Sequence, residues 1–546
     1  MAPVADSRSP WFDMTPAFQA ASKSSLWAVV PTGLYAIVGL LVAIYATAMF
    51  IVGPSIYSDS GWGFLVGESM KQGAPFNSLR EPDAQDIAKD SDRFIAAWSP
   101  GQYTLPDLLE GLGFSLGQAT ASVVVLFSVL GLVGWHVLYR AWLFPPLTAA
   151  VAVAIIAAGR AFALPFGIYN GGEVLLFGVL PWFVLVLWAT RDGGWWRVLL
   201  MLLAVTAVAF AKLSGIIFAL SCLAAIALPY AWPPTWRGIR RISIAAAIVL
   251  IFAFLFYQFW LSRGWTAASG SGELFPERLL THSLGSIGAT FAAMFSLGDL
   301  AARLLQFPDH AVVSNLDWLF LAMALPALAV FWVSWRHLRR SHADYLTFVF
   351  LTACVFIAVM TVIFVRGGAI RLEDRFFRPL ALVLLVGVVH TALQWRGAWL
   401  ALAGALVATS AAYGVSSYFV RLTYDLHLPL GGRGLRHGIA SAEALAFIKE
   451  EVARLPAGVQ PVIVVTSPEM GLEFRGARIL SNHADFESPE LLASRTYRGQ
   501  AKKLIVLVQT KLVENGKADI ILRSFVDYPP DRWTARSLGS FTSFTQ

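Results

Sequence analysis

Four polar groups stand at the ends of long apolar runs, where a carboxylate or a cation has chemistry open to it. Asp59 is the first, in the segment GPSIYSDSGWGFLVGESMKQG from Gly53 to Gly73. A carboxylate just outside an apolar run can serve as a general base at a membrane surface. The second group is Tyr169-Asn170-Gly171-Gly172-Glu173, with Arg160 a few residues inside the preceding run. The third is the tight turn Ala211-Lys212-Leu213-Ser214-Gly215. The fourth is a turn rich in arginine, from Arg366 through Arg371, Glu373, Asp374, Arg375 and Arg378 to Pro379. Each has a plainer role open to it. Glu173 can cap a helix N-terminus, where the dipole favours a carboxylate. Lys212 can reach lipid head groups, the arginines can touch lipid phosphates, and Asp59 can be a solvated loop acid like Glu68, Asp83 and Asp90.

The elements that must position these groups are membrane spans. The chain is 57% hydrophobic and only 14% charged, with a mean hydropathy of +0.64. Runs of about 20 apolar residues match a hydrocarbon core of about 30 Å, so this is an integral membrane protein. Apolar runs fall at 26–53, 119–139, 145–164, 172–189, 198–211, 216–231, 242–261, 318–335, 345–365, 376–393 and 399–419. They predict an all-α polytopic bundle of about eleven transmembrane helices. The first run is too long for a cleaved signal peptide and reads as a retained span.

Arginines set the orientation. Arg140, the Arg191/Arg197 pair, Arg237, Arg240 and Arg241, then Arg336, Arg339 and Arg340, and Arg396 fall on alternate loops. By the positive-inside rule that side is cytoplasmic and so is the polar arm 1–25. Asp59, its loop 54–118 and the segment after 420 then face outward. The turn bearing Arg371 and Arg375 breaks the rule, because it is cationic on the outer side. Such a cluster asks for an anionic partner, and a phosphate is the natural one. The formal charge of +7 is thereby read as loop arginine, and nucleic acid is not expected as a partner.

Two further stretches are not spans. Residues 263–317 carry apolar residues at helical spacing, interrupted by Gly285, Gly288 and Asp299, and read as a helix along the interface. From 421 to 546 the pattern changes. Ser441 can cap a helix, and Val462–Val465 and Lys503–Val508 read as buried strands. This predicts a small extracytoplasmic α/β domain of about 120 residues, within the usual domain range. No Gly-rich phosphate loop follows either strand, so no nucleotide is expected there. Cys222 and Cys354 lie inside apolar runs and read as core residues. No metal-ligand set stands out.

On these residues the sequence resembles the GT-C superfamily of membrane glycosyltransferases, in the branch of protein O-mannosyltransferases and lipid A aminoarabinose transferases. Asp59 in Ser58-Asp59-Ser60-Gly61-Trp62 is similar to the acid that the family carries after its first span. Trp98-Ser99-Pro100-Gly101-Gln102-Tyr103 is similar to its Pro-aromatic segment. Glu173 stands where relatives carry an acid opening a span. Ala211–Gly215 is similar to the Lys-Gly turn, and Arg375-Phe376-Phe377-Arg378-Pro379 to the Arg-Tyr-x-x-Pro stretch. One departure is that Ser60 follows Asp59 where many relatives have a second acid.

The resemblance implies an inverting glycosyltransferase of the cell envelope in a bacterial inner membrane. It would move a sugar from a polyprenyl-phosphate donor to a lipid, glycan or protein acceptor on the outer face. A phosphate leaving group is already ionised and needs cations, whereas the acceptor hydroxyl needs a base. Asp59 would take that proton; Arg371, Arg375 and Lys212 would hold the phosphate; Glu173 would bind sugar or acceptor hydroxyls. Arg160 and Tyr103 join the expected substrate-binding set. No cofactor is assigned, and a divalent metal is left open. Two rivals are a transporter or flippase of lipid-linked sugars and a membrane-anchored scaffold. The first lacks internal repeats and charges at span centres; the second leaves the outward arginines without a use.

Overall fold

The computed structural model describes residues 25–191, 196–231, 235–264, 274–305, 316–368, 372–456, 458–482, 484 and 487–546. Arg371 and most of the N-terminal arm lie outside them.

Helix α1 (Ser25–Val52) contains no charged residue. The chain then forms a short strand β1 (Ser55–Ile56), helix α2 (Ser58–Lys71), an antiparallel hairpin of β2 (Ser78–Pro82) and β3 (Asp90–Phe94), and helix α3 (Gly101–Glu110). These elements make up the segment 54–118. A capping box starts α4 (Leu116–Ala141). Ser115 Oγ accepts from Gln118 N–H at 3.2 Å, and Gln118 Oε1 accepts from Ser115 N–H at 3.0 Å. The bundle continues through α5 (Pro146–Ala158), α6 (Arg160–Ala163), α7 (Gly172–Thr190), α8 (Trp196–Ala211), α9 (Gly215–Ala227) and α10 (Trp236–Phe259). It is completed by α11 (Arg278–Phe295), α12 (Leu297–Leu305), α13 (Leu316–Leu338), α14 (Ala343–Val365), α15 (Asp374–Ala392) and α16 (Ala398–His427).

Each of the eleven apolar runs holds helix, but the runs are not eleven equal spans. Among the described residues eight helices are long and apolar enough to cross a membrane, or up to ten if each of two bent pairs is one span. The run 145–164 bends by 60° between α5 and α6. Helices α8 and α9 have 16 and 13 residues, and 13 residues reach only about 20 Å at the helical rise. The segment expected along the interface forms the other pair, α11 and α12, bent by 91°. Ser296 sits at that bend with φ of 52°. From Gly285 to Phe295 the helix α11 is mostly buried, and it packs against α13, α14 and α15. Its glycines are the reason: a side chain at Gly288 would collide with the backbone of Phe320. Of the two cysteines, Cys222 is buried as expected, whereas Cys354 is exposed on the flank of α14.

After α16 come β4 (Arg436–His437), α17 (Ala442–Arg454), β5 (Val462–Val465), α18 (Pro468–Gly471), β6 (Arg478–Ser481), α19 (Pro489–Ala493), β7 (Leu504–Gln509), α20 (Thr510–Glu514), α21 (Lys517–Arg523), β8 (Thr534–Leu538) and β9 (Phe541–Thr545). Ser441 caps α17, accepting from Ala444 N–H at 3.0 Å. Five strands form one sheet in the order β6-β5-β7-β9-β8. Strand β5 runs parallel to β6 and β7, and β9 runs antiparallel to β7 and β8. The fully buried runs of β5 and β7 are the β-branched stretches that sequence patterning picks out.

The α/β domain is tied to the 54–118 segment. Strand β1 pairs in parallel with β4. Arg433, only 6% exposed, donates to Glu68 at 2.7 Å and to Glu110 at 2.6 Å, and Arg478 donates to Asp90 at 2.6 Å. Glu68 and Asp90 are therefore joints between the two parts, not free loop acids. Gly61 is required for the contact, since a Cβ there would lie 2.6 Å from the backbone nitrogen of Glu469.

Candidate active site

The recess is built where four loops meet. Ser60 fixes the start of α2: Tyr57 N–H donates to Ser60 Oγ at 3.3 Å, and Ser60 Oγ donates to the Tyr57 carbonyl at 3.1 Å. Asp59 thus occupies the first turn of that helix, where the dipole favours a negative charge. Its side chain is open at the surface but crowded by protein on its other sides. Burial pushes its carboxyl above the usual range; Arg375 opposes that shift, Glu173 adds to it, and Lys212 opposes it. These three residues are its charged neighbours, so the structure gathers acids and cations from four separate stretches of sequence.

Two adjacent glycines set Glu173 in place. Gly171 has φ of +67°, and a side chain there would overlap that of Gln102. A Cβ at Gly172 would lie 2.8 Å from the Ala211 carbonyl, so the start of α7 touches the end of α8. That approach puts Lys212 against Glu173, and Lys212 Nζ donates to Glu173 Oε1. Arg375, in the first turn of α15, has NH1 3.9 Å from the same oxygen and Nε 2.6 Å from Glu373 Oε2. Phe376 spaces the two cations: its ring centre is 5.9 Å from Lys212 Nζ and 4.9 Å from the Arg375 guanidinium carbon. The cations expected to be free for a phosphate are thus engaged with carboxylates, Lys212 with Glu173 and Arg375 chiefly with Glu373.

Arg160 and Tyr103 lie apart from this group. Arg160 pairs with Asp299 of α12 and interacts with Asp374, which in turn interacts with Arg378. This second cluster adjoins the first through a cavity of about 50 Å³ lined by Glu173, Ser296 and Arg378. Tyr103 is 1% exposed and packs beneath α2, its ring within 3.0 Å of the Cβ position at Gly63. Tyr169 is equally buried and donates to the Gln102 carbonyl. Glu373, Asp374 and Arg378 belong to the arginine-rich turn, whereas Asp299 joins from α12, outside the four polar groups of the sequence. For Asp299 the signal was present: an acid interrupting an apolar segment, like Arg160 inside another, asks for an opposite charge.

Among the described residues no group of three or more His, Cys, Asp and Glu is arranged to hold a metal ion. A second, apolar groove of about 680 Å³ runs between α11, α13, α14 and α15, lined by residues such as Leu279, Ile287, Trp335, Val349 and Leu380. Leu279 and Val362 line one end of it, and nearby Phe275 N–H, just before α11, donates to the Val365 carbonyl at 2.7 Å, one residue before Arg366.

No family model matches the chain, and no curated protein sequence matches it. Solved structures do. The chain is similar to ArnT from Cupriavidus metallidurans in the apo state, with a TM-score of 0.50 and 12% identity over 94% of this chain and 98% of the other. It is also similar to the same protein bound to undecaprenyl phosphate, with a TM-score of 0.52 and 13% identity over 93% and 98%. At these identities the likeness is one of fold. The shared fold is a polytopic helical bundle with a small C-terminal α/β domain, as the sequence pattern implied.

Proposed function

We propose that this membrane protein is an inverting glycosyltransferase that moves a sugar from a polyprenyl-phosphate donor to an acceptor hydroxyl at the recess around Asp59. The observation that carries the reading is the convergence of Asp59, Glu173, Lys212 and Arg375 from four distant loops. Asp59 takes the acceptor proton as the acceptor oxygen bonds to the anomeric carbon. The bond from that carbon to the lipid phosphate breaks, and the phosphate leaves as a dianion. Arg375 meets the developing charge with a forked donor set, joined by Lys212 and by Arg371 from the same turn. Attack opposite the phosphate inverts the anomeric centre. Glu173 holds the two cations apart from one another and accepts hydroxyl hydrogen bonds from the sugar. Support for a lipid donor comes from the undecaprenyl phosphate bound to the ArnT of similar fold. The apolar groove beside the arginine turn suits the polyprenyl chain.

The recess faces the outside of a bacterial inner membrane in this reading, with the N-terminus cytoplasmic. Two observations support the sidedness. Loops that follow the first, third, fifth and ninth apolar runs all meet at the recess, which by alternation lies opposite the N-terminus, and the arginine bias of the intervening loops makes the N-terminal side the inner one. Strand β1 pairs with β4, which sets the α/β domain on the same side as Asp59. Reporter fusions after Arg140 and after His427 should report opposite sides. The activity is tested by incubating the purified protein with labelled polyprenyl-phosphate sugars and lipid, glycan and peptide acceptors. Transfer with inversion is the expected result. Binding of the donors with no transfer to any acceptor would sink the reading.

A further inference from the structure

A cavity of about 250 Å³ lies between the β2/β3 hairpin and the α/β domain, outside the recess. From the hairpin and α2 it is lined by Glu81, Arg93 and Trp62, and from the α/β domain by Ser481, Glu487, Arg495 and Tyr497. Its charges balance in two pairs. Arg93 donates to Glu81 at 2.9 Å, and Arg495 donates to Glu487 Oε1. Two of the lining residues each carry a buried polar atom with no partner among the described residues. One is Oγ of Ser481, a residue only 6% exposed, and the other is the buried Oε2 of Glu487. Buried polar groups without partners are rare in folded proteins, because each forfeits the hydrogen bonds it had in water.

The aromatic lining is equally specific. Tyr497, a lining residue, stacks on Phe525 with ring centres 5.1 Å apart. Trp62 also lines the cavity, stacked on Trp98 with centres 6.0 Å apart and with Arg93 5.9 Å away. A flat apolar face, charge-paired carboxylates that accept hydrogen bonds, guanidinium donors and an unused hydroxyl are what a ring of hydroxyl groups on a carbon frame requires. Among the described lining residues the charges balance, which favours an uncharged sugar. The volume is a little under the roughly 300–1,000 Å³ of pockets for drug-sized ligands, which suits one pyranose residue. Trp62 lies one helical turn after Asp59 on α2, so the pocket and the recess share an element.

We propose that this cavity is a binding pocket for an uncharged hexose residue, acting as a glycan subsite of the transferase; its role in transfer rests on the function proposed above, but the binding does not. The test is saturation-transfer NMR on the full-length protein in detergent micelles, with methyl α-glucoside, methyl α-mannoside and maltotriose as probes and glucuronate as the charged comparison. At least one uncharged probe should bind. Glu487→Gln and Ser481→Ala should each weaken it by about tenfold, the scale of one lost hydrogen bond involving a charged group. Tyr497→Ala should abolish the signal, and Arg375→Ala should leave it unchanged. Near-identical melting curves establish that the variants fold; any variant that does not is replaced by Tyr497→Leu, for which loss of signal is again expected. No signal from any uncharged probe at millimolar concentration overturns the pocket, as does an unchanged signal in both Glu487→Gln and the Tyr497 variant. Sugar binding without donor turnover leaves the pocket standing and removes the transferase reading; turnover without sugar binding does the reverse.

Discussion

Lys212 donates its ammonium to the same Glu173 oxygen that Arg375 approaches to 3.9 Å. One carboxylate therefore holds two cations in place, and removing it exposes them to each other. Glu173→Gln and Lys212→Met should each lower the melting temperature, and the double variant should lose less than the sum. A double-mutant cycle is expected to give a coupling of about 0.5–3 kcal/mol, the range for groups in one ion-pair network. Additive losses would mean that the two side chains do not depend on each other.

Arg375 is the cation expected to gain most when a phosphate enters, because its side chain is 42% exposed and can rotate from Glu373 towards a ligand. Arg375→Ala should weaken polyprenyl-phosphate binding by about tenfold or more, the scale for a charge-assisted hydrogen bond. Arg375→Lys should restore only part of that, lacking the planar fork. Equal affinities of wild type and Arg375→Ala in a lipid-binding titration would assign this turn to general head-group contact.

The pairing of Arg160 with Asp299 joins α6 to α12 across two bent helices. Both side chains are less than one-third exposed, so neither charge is fully solvated when left alone. Asp299→Asn should destabilise the protein by about 1–3 kcal/mol, below the 3–5 kcal/mol of a wholly buried broken pair. Replacing both residues, as Arg160→Met with Asp299→Leu, should recover most of the loss. Thermal unfolding in one detergent compares the three; a double variant no more stable than Asp299→Asn would contradict the pairing.

The apolar runs were legible because a bilayer demands long unbroken stretches, and every one holds helix. Their bends were not. Gly159 separates α5 from α6, and Ser296 separates α11 from α12 in a left-handed conformation that sequence patterning does not mark. The members of the candidate site were legible one by one: Asp59, Glu173, Lys212 and Arg375, which the structure brings together, each stand as charges at the edge of an apolar run. Their pairing was not legible. Nothing in the spacing says that Lys212 meets Glu173, which depends on the side-chain-free approach of Gly172 to Ala211. For the same reason Glu68 and Asp90 read as loop acids until Arg433 and Arg478 are brought over from the far end of the chain.

Asp59 carries the sharpest expectation, because the proposed role of base requires it to be ionised in a place that resists ionisation. Asp59→Asn should keep the fold and donor binding while lowering turnover by about a hundredfold or more, the scale for a general base. Asp59→Glu should fall between, keeping the base but displacing it. Asp531, an exposed acid of the α/β domain, serves as control, and Asp531→Asn should leave the rate unchanged. The carboxyl of Asp59 is raised by burial, so the acid limb of kcat/KM should lie above the ordinary carboxylate value of about 4. Arg375 lowers and Glu173 raises that carboxyl. Arg375→Ala should therefore move the limb to higher pH and Glu173→Gln to lower pH, in whatever activity each retains. Stability carries the same sign. A raised carboxyl supports the fold below its unfolded value, and that support is lost as pH rises through the folded value. Asp59→Asn should accordingly melt at a higher temperature than wild type near pH 7, with the gap closing below about pH 4. A variant that melts lower than wild type at neutral pH, or that transfers sugar at the wild-type rate, would remove Asp59 from the role of base.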